Sequence, residues 1–111
     1  MNIPYDSEKL DDVLDALANQ KRRGIVHELS LQPATVKQLA TTFSLSLPAI
    51  HKHIRILENS NLIIRKKVGR TNFVTLNPNT LGLVQQWILQ YKTKWDNTNA
   101  TLENYISRMQ E

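Results

Sequence analysis

The sequence predicts a mainly α-helical domain with one small β-hairpin and a long helix at its C-terminal end. Three observations carry this expectation. Apolar residues recur at i, i+3, i+4 and i+7 in successive segments of the first half. A run rich in β-branched residues follows at 62–68, ahead of a glycine-containing turn. Helical spacing then returns and lasts almost to the end. The chain has 111 residues, the size of one domain. Hydrophobic residues make up 41% and charged residues 22%, a balance that supports a packed core and argues against disorder. The apolar runs Leu62-Ile63-Ile64 and Trp87-Ile88-Leu89 fall far short of the ~20 residues a membrane span needs. The opening MNIPYDSEKL has no apolar signal segment, so the chain is expected in the cytoplasm.

Leu10, Val13, Leu14 and Leu17 form one apolar stripe on a first helix, 7–19, which Asp6 or Ser7 can cap. Asn19 is suited to cap a second helix, 20–31, with Ile25, Val26 and Leu29 inward and His27 near that face in a structural role. Gln32-Pro33-Ala34 breaks the pattern. Thr35-Val36-Lys37-Gln38 then reads as a capping box, in which the Thr35 hydroxyl accepts from the Gln38 N–H and the Gln38 side chain reaches back. Val36, Leu39, Ala40 and Phe43 repeat the stripe in a short third helix. Ser44-Leu45-Ser46 is a turn, and Ser46 caps a fourth helix, 47–60. Pro48 is tolerated in its first turn, where the missing N–H has no helical partner. Ile50, Ile54 and Leu57 form the buried face of this helix, and Asn59-Ser60-Asn61 ends it. A strand is expected over 62–68, a turn at Gly69-Arg70-Thr71 and a return strand over 72–76. Asn77 caps a last helix, 78–110, with Pro78 at its first position.

The third and fourth helices, joined by a short turn, form a helix-turn-helix (35–60). The hairpin that follows (62–76) makes the arrangement a winged helix. At 100° per residue, Pro48, Lys52 and Arg55 lie opposite Ile50, Ile54 and Leu57, with His51 on one flank and His53 on the other. The net charge of +4 is unevenly spread. Residues 35–79 hold seven basic groups against Glu58, net +6, whereas residues 1–34 are net −2 and 80–111 neutral. A concentrated positive segment favours a polyanion, with double-stranded DNA the leading partner. A major groove admits one α-helix, and Lys52 and Arg55 suit phosphate or guanine O6/N7. Thr35 and Lys37 can donate to the DNA backbone from the start of the third helix. Ser46, Leu47, Pro48, His51 and His53 belong to the same candidate surface, His53 as a phosphate-binding or structural hydrogen-bonding residue. Arg65, Lys66, Lys67 and Arg70 of the wing can reach the flanking backbone or the minor groove. For Arg22 and Arg23, a phosphate contact competes with a solvated face or an ion pair. Cysteine is absent, and the three histidines show no HExxH or H-x₃-H spacing. With no GxGxxG, P-loop or GxSxG either, neither an enzyme nor a cofactor is expected.

Ala16-Leu17-Ala18-Asn19 with Arg22-Arg23, Leu45-Ser46-Leu47-Pro48-Ala49-Ile50-His51-Lys52-His53-Ile54-Arg55-Ile56-Leu57, Leu62-Ile63, and Gly69-Arg70 leading to Leu76-Asn77-Pro78 carry a resemblance. Over residues 10–110 the chain resembles the arsenic-resistance-regulator (ArsR) family of winged-helix repressors. The resemblance implies a homodimer that binds a palindromic operator and represses transcription, and in many members metal binding releases the DNA. This chain departs from that pattern. It has no cysteine for a thiolate site by the third helix and no histidine in 78–111 for a site on the last helix. No metal site is therefore expected. Position 47, commonly glutamine, is Leu47, which can pack on a thymine methyl but cannot hydrogen-bond a base. Position 51, commonly serine, is His51.

A helix over 78–110 would be roughly 50 Å long, more than a domain this size can cover. Trp87, Tyr91 and Trp95 step by four, a pattern similar to that of a cysteine-free branch of the family. Val84, Ile88, Leu102, Tyr105, Ile106 and Met109 continue the apolar band, while Asp96-Asn97-Thr98-Asn99 is a weak helical stretch suited to a bend. The expected use is a two-fold homodimer built from helices 7–19 and 78–110, with Leu10, Leu14, Trp87, Tyr91, Trp95, Leu102, Tyr105 and Ile106 at the interface. Two other readings remain open from sequence. One is a winged helix that docks a partner protein. The other is a metal-responsive repressor whose site forms across the dimer from carboxylates and His51 or His53. The sequence names no effector.

Overall fold

A computed structural model describes residues 7–98 and 101–110. The elements are α1 (Ser7–Leu17), α2 (Gln20–Leu31), β1 (Ala34–Thr35), α3 (Val36–Thr42), α4 (Leu47–Asn59), β2 (Ile63–Val68), β3 (Thr71–Leu76), α5 (Pro78–Thr98) and α6 (Leu102–Met109). The helices start where short polar side chains can satisfy free N–H groups. Asn19 Oδ1 accepts from Arg22 N at 3.1 Å. Both halves of the capping box form, with Gln38 N donating to Thr35 Oγ1 at 3.1 Å and Thr35 N to Gln38 Oε1 at 2.8 Å. Ser46 Oγ accepts from Ala49 N at 3.3 Å. Asp6, the other expected cap of α1, lies outside the described residues.

The core is one cluster fed by every element up to β3. Val13 and Ala16 of α1, Ile25 and Leu29 of α2, Val36 and Leu39 of α3, Ile50, Ile54 and Leu57 of α4, Leu62, Ile63 and Val74 meet in it. α2 and α3 approach so closely that a Cβ on Gly24 would sit 2.7 Å from the Phe43 ring. The sheet has the order β1-β3-β2, all antiparallel. Val68 pairs with Thr71 across a two-residue turn. Gly69 takes φ 63° at the first turn position, the conformation a type II′ hairpin turn requires there.

Three expectations need correction. The hairpin gains a third strand, because Ala34 pairs with Val74 and Thr35 with Phe73. His27 is exposed rather than near the inward face, since it stands about 200° around α2 from the buried Ile25. The single C-terminal helix is two. Thr101, in extended backbone (φ −74°, ψ 156°), caps α6 by accepting from Asn104 N at 3.2 Å, so helical geometry is interrupted at Thr101. Asn99 lies outside the described residues.

The first part of α5 packs on the core through Leu81 and Val84. Farther along, Ile88, Leu89, Tyr91 and Trp95 are exposed, as are Leu102, Tyr105, Ile106 and Met109 of α6. The radius of gyration is 19.1 Å, against about 13 Å for a compact domain of this length. Leu10 is buried in the protomer, where α1 lies against α5, while Leu14 is exposed.

Candidate nucleic-acid interface

α4 is held by its apolar side. Ile50, Ile54 and Leu57 are fully buried, which turns Lys52 and Arg55 outward, where both are exposed. Leu47 (46% exposed), Pro48 and Ser46 lead into the same surface, and His51 is half-buried at its flank. The turn from α3 depends on Ser44, which takes φ 52°, and on the Ser46 cap. Replacing Ser46 with alanine removes that cap and is expected to cost about 1 kcal/mol of stability, measurable by urea unfolding. It should also weaken DNA binding through fraying at the start of α4.

Five predicted residues from three elements converge. Thr35 and Lys37 at the start of α3, Leu47 and His51 on α4, and Arg70 in the wing turn line one cleft of about 310 Å³. Two basic side chains and a histidine there give a setting that attracts an anionic oxygen.

The wing cations do not act as one group. Side chains alternate along a strand, so Arg65 and Lys67 share a face with buried Ile63, whereas Lys66 shares the opposite face with Phe73, its partner on β3. Arg65 is also engaged: its Nη2 lies 3.0 Å from Glu58 Oε1 and its Nε donates to Glu58 Oε2 at 3.3 Å. It links the wing to the end of α4 while remaining exposed, as are Lys66, Lys67 and Arg70.

Arg22 and Arg23 are neither ion-paired in these contacts nor simply solvated. Arg23 Nη1 donates to the Leu17 carbonyl at 2.8 Å, and Arg22 Nε donates to the Ala16 carbonyl at 2.6 Å. Both satisfy carbonyls that the end of α1 leaves open, at the negative end of its dipole. Arg22 Nη1 also lies 3.3 Å from His53 Nδ1. Sequence reasoning missed this link, although two arginines in the first turn after a short interhelical loop were a signal for capping the preceding helix. A guanidinium carries donors only, so Nδ1 is the acceptor and the ring proton of His53 sits on Nε2. Burial holds His53 below the ordinary 6.5, and the charges of Arg22, Lys21 and Lys52 push it the same way. The folded state thus binds this proton less readily than the unfolded chain. The stability it contributes is complete above pH 6.5 and is lost as pH falls through the lower folded value. Urea midpoints are expected to drop in acid below pH 6.5, and a His53→Asn chain should lose that component of the drop.

Among the described residues, no group of three His, Cys, Asp or Glu side chains is placed to hold a metal ion. The chain offers no cysteine for a thiolate site and no histidine in 78–111 for a site on the last helix. No helix among the described residues is long and apolar enough to cross a membrane.

A capped helix with a cationic outer face, set on a second helix and flanked by a hairpin, defines a winged helix-turn-helix DNA-binding regulator. Residues 19–65 match the family model described as bacterial regulatory protein, arsR family. The chain is 33% identical to a crystallised ArsR family transcriptional regulator, RHA00566, with a TM-score of 0.79 over 84% of this chain and 96% of that one. It is 29% identical to the HTH-type transcriptional regulator Rv2034 of Mycobacterium tuberculosis, over 76% of this chain and 78% of the relative. It is 28% identical to the transcriptional repressor SdpR of Bacillus subtilis, over 79% of this chain and 98% of that protein. The chain belongs to the arsR family, whose members are transcriptional regulators rather than enzymes.

Proposed function

We propose that the protein is a homodimeric repressor that binds a palindromic operator sequence-specifically, acts in the cytoplasm on the nucleoid and does not respond to metal. The carrying observation is α4, with Lys52 and Arg55 exposed above the fully buried Ile50, Ile54 and Leu57. In this reading α4 enters the major groove, with Lys52 and Arg55 on bases or phosphates, Leu47 against a thymine methyl and His51 beside them. Thr35, Lys37, Lys66, Lys67 and Arg70 hold the flanking backbone and fix the register. The exposed apolar side chains of α5 and α6, with Leu14 of α1, form the two-fold interface. Repression follows from occupying DNA that polymerase needs, in line with the repressor role of the Bacillus subtilis relative. The lack of a metal response rests on the donor set, which lacks cysteine altogether.

The test is selection of bound duplexes from a random pool, followed by a mobility-shift titration. A recovered inverted repeat bound about 10³-fold or more above scrambled DNA supports the proposal. Equal affinity for all sequences contradicts it. Zinc added to the complex should leave the shift unchanged, and release of DNA by zinc contradicts the metal-independent part.

A further inference from the structure

Arg22 joins three elements whose relative placement the reading face depends on. Its Nε donates to the Ala16 carbonyl at 2.6 Å and its Nη2 to the Asp15 carbonyl at 3.3 Å, both in the last turn of α1. Its Nη1 lies 3.3 Å from His53 Nδ1 on α4. Its own backbone N–H is held by Asn19 Oδ1 at the start of α2. One planar fork thus spans from the C-terminal end of α1 to the middle of the helix that presents Lys52 and Arg55. The donors of a guanidinium are fixed relative to one another, so sliding or tilting α4 against α1 must break at least one of these bonds. The neighbouring Arg23 bonds the Leu17 carbonyl on α1, without a contact of this kind to α4.

We propose that Arg22 is a positioning residue for DNA recognition, setting the angle of α4 against α1 through a hydrogen bond that exists only while His53 is neutral. The inference rests on the reading of α4 as the DNA-reading helix. The bond needs the lone pair of Nδ1, because the guanidinium cannot accept. A proton on His53 removes that lone pair and sets two cations 3.3 Å apart. The surroundings favour the closed joint near neutral pH. Burial disfavours the charged imidazole, and Arg22 and Lys21 from α2 and Lys52 from α4 add positive charge that pushes the same way. From α1, Asp12 and Asp15 line the cleft of about 450 Å³ that Arg22 borders, so a guanidinium released from His53 has carboxylates to turn towards. α1 is also assigned to the dimer interface. Opening the joint therefore frees the reading helix from the frame that fixes the spacing of the two copies.

The experiment is a fluorescence-anisotropy titration of the full chain with a duplex of about 30 base pairs selected by the wild-type protein. Affinity is measured from about pH 8 to about pH 5.5 at constant ionic strength. Circular dichroism at each pH confirms that the chain is folded. Three proteins are compared: wild type, His53→Asn and Arg22→Lys. Asparagine places an oxygen near the position of Nδ1, an acceptor that does not titrate. Lysine keeps the charge of Arg22 but offers one nitrogen, which cannot span α1 and α4 together. The wild type is expected to lose about tenfold in affinity towards acid, the loss of one charge-assisted hydrogen bond. The His53→Asn chain should hold its affinity over the same range. The Arg22→Lys chain should bind about tenfold more weakly throughout, without the acid loss. Nitrogen-15 spectra of the wild type without DNA should show the Nε2–H tautomer of His53 at neutral pH. Matching pH profiles for wild type and His53→Asn, wild-type affinity in Arg22→Lys, or the Nδ1–H tautomer each overturn the proposal. Failure of all three proteins to bind any DNA at any pH overturns the DNA reading itself, and the joint's role with it.

Discussion

A chain in which Lys52 and Arg55 are both alanine is expected to bind its selected duplex at least about a hundredfold more weakly, with an unchanged melting temperature. Each cation, on a base edge or a phosphate, contributes about 1–3 kcal/mol, and two are lost from every protomer. The fold should not notice. Both side chains are exposed, and the residues that anchor α4 lie on its opposite side. Titrations at several salt concentrations divide the loss between two roles. A phosphate contact lowers the salt slope by about one unit when removed. A base contact instead narrows the gap between the selected and a scrambled duplex while the slope stays. Unchanged affinity at every salt concentration would shift recognition to the wing.

Glutamate at both Ile88 and Tyr91 is expected to produce monomers and to lower operator affinity by about 10²–10⁴-fold. These side chains are 50% and 53% exposed in the protomer, on the part of α5 that has left the core. Tyr91 is already set by an edge-to-face contact with Trp87 at 5.4 Å, a rigid aromatic surface suited to a partner helix. In the proposed dimer, two carboxylates facing their own copies across the two-fold axis cannot be buried without a large desolvation and repulsion cost. Each monomer keeps one intact reading helix, so weak binding to a half-site persists. What is lost is the gain from linking two sites, which accounts for a factor of that size without any change in contacts. Sedimentation velocity alongside anisotropy checks both halves. A dimer that survives the substitutions with full affinity would place the interface elsewhere.

The features legible in the sequence are those that arise within one helical turn or one helix face. The Thr35–Gln38 box and the Ser46 cap need partners three residues away, and the outward placement of Lys52 and Arg55 follows from the 3.6-residue period acting on Ile50, Ile54 and Leu57. Features that escaped it depend on distant partners. Ala34 and Thr35 are a strand because Val74 and Phe73 lie beside them, not through any propensity of two residues. The Arg22 link to His53 joins residues 31 apart in sequence, and Arg65 is drawn to Glu58 by the packing of the wing beside α4. The break before α6 is a different case. Thr101 as cap and Glu103 in the first turn are local signals for a new helix, but the long apolar band running through residues 84–109 masked them.

The claim on which the account depends is that α4 lies in the major groove, and does so twice per complex. Dimethyl sulfate protection on the selected duplex reads this directly, since guanine N7 lies in the major groove and adenine N3 in the minor groove. Two patches of protected guanine N7 are predicted, centred about 10–10.5 base pairs apart across the dyad, and both should fade in the Lys52→Ala, Arg55→Ala chain. A single patch, or protection confined to adenine N3, would contradict it.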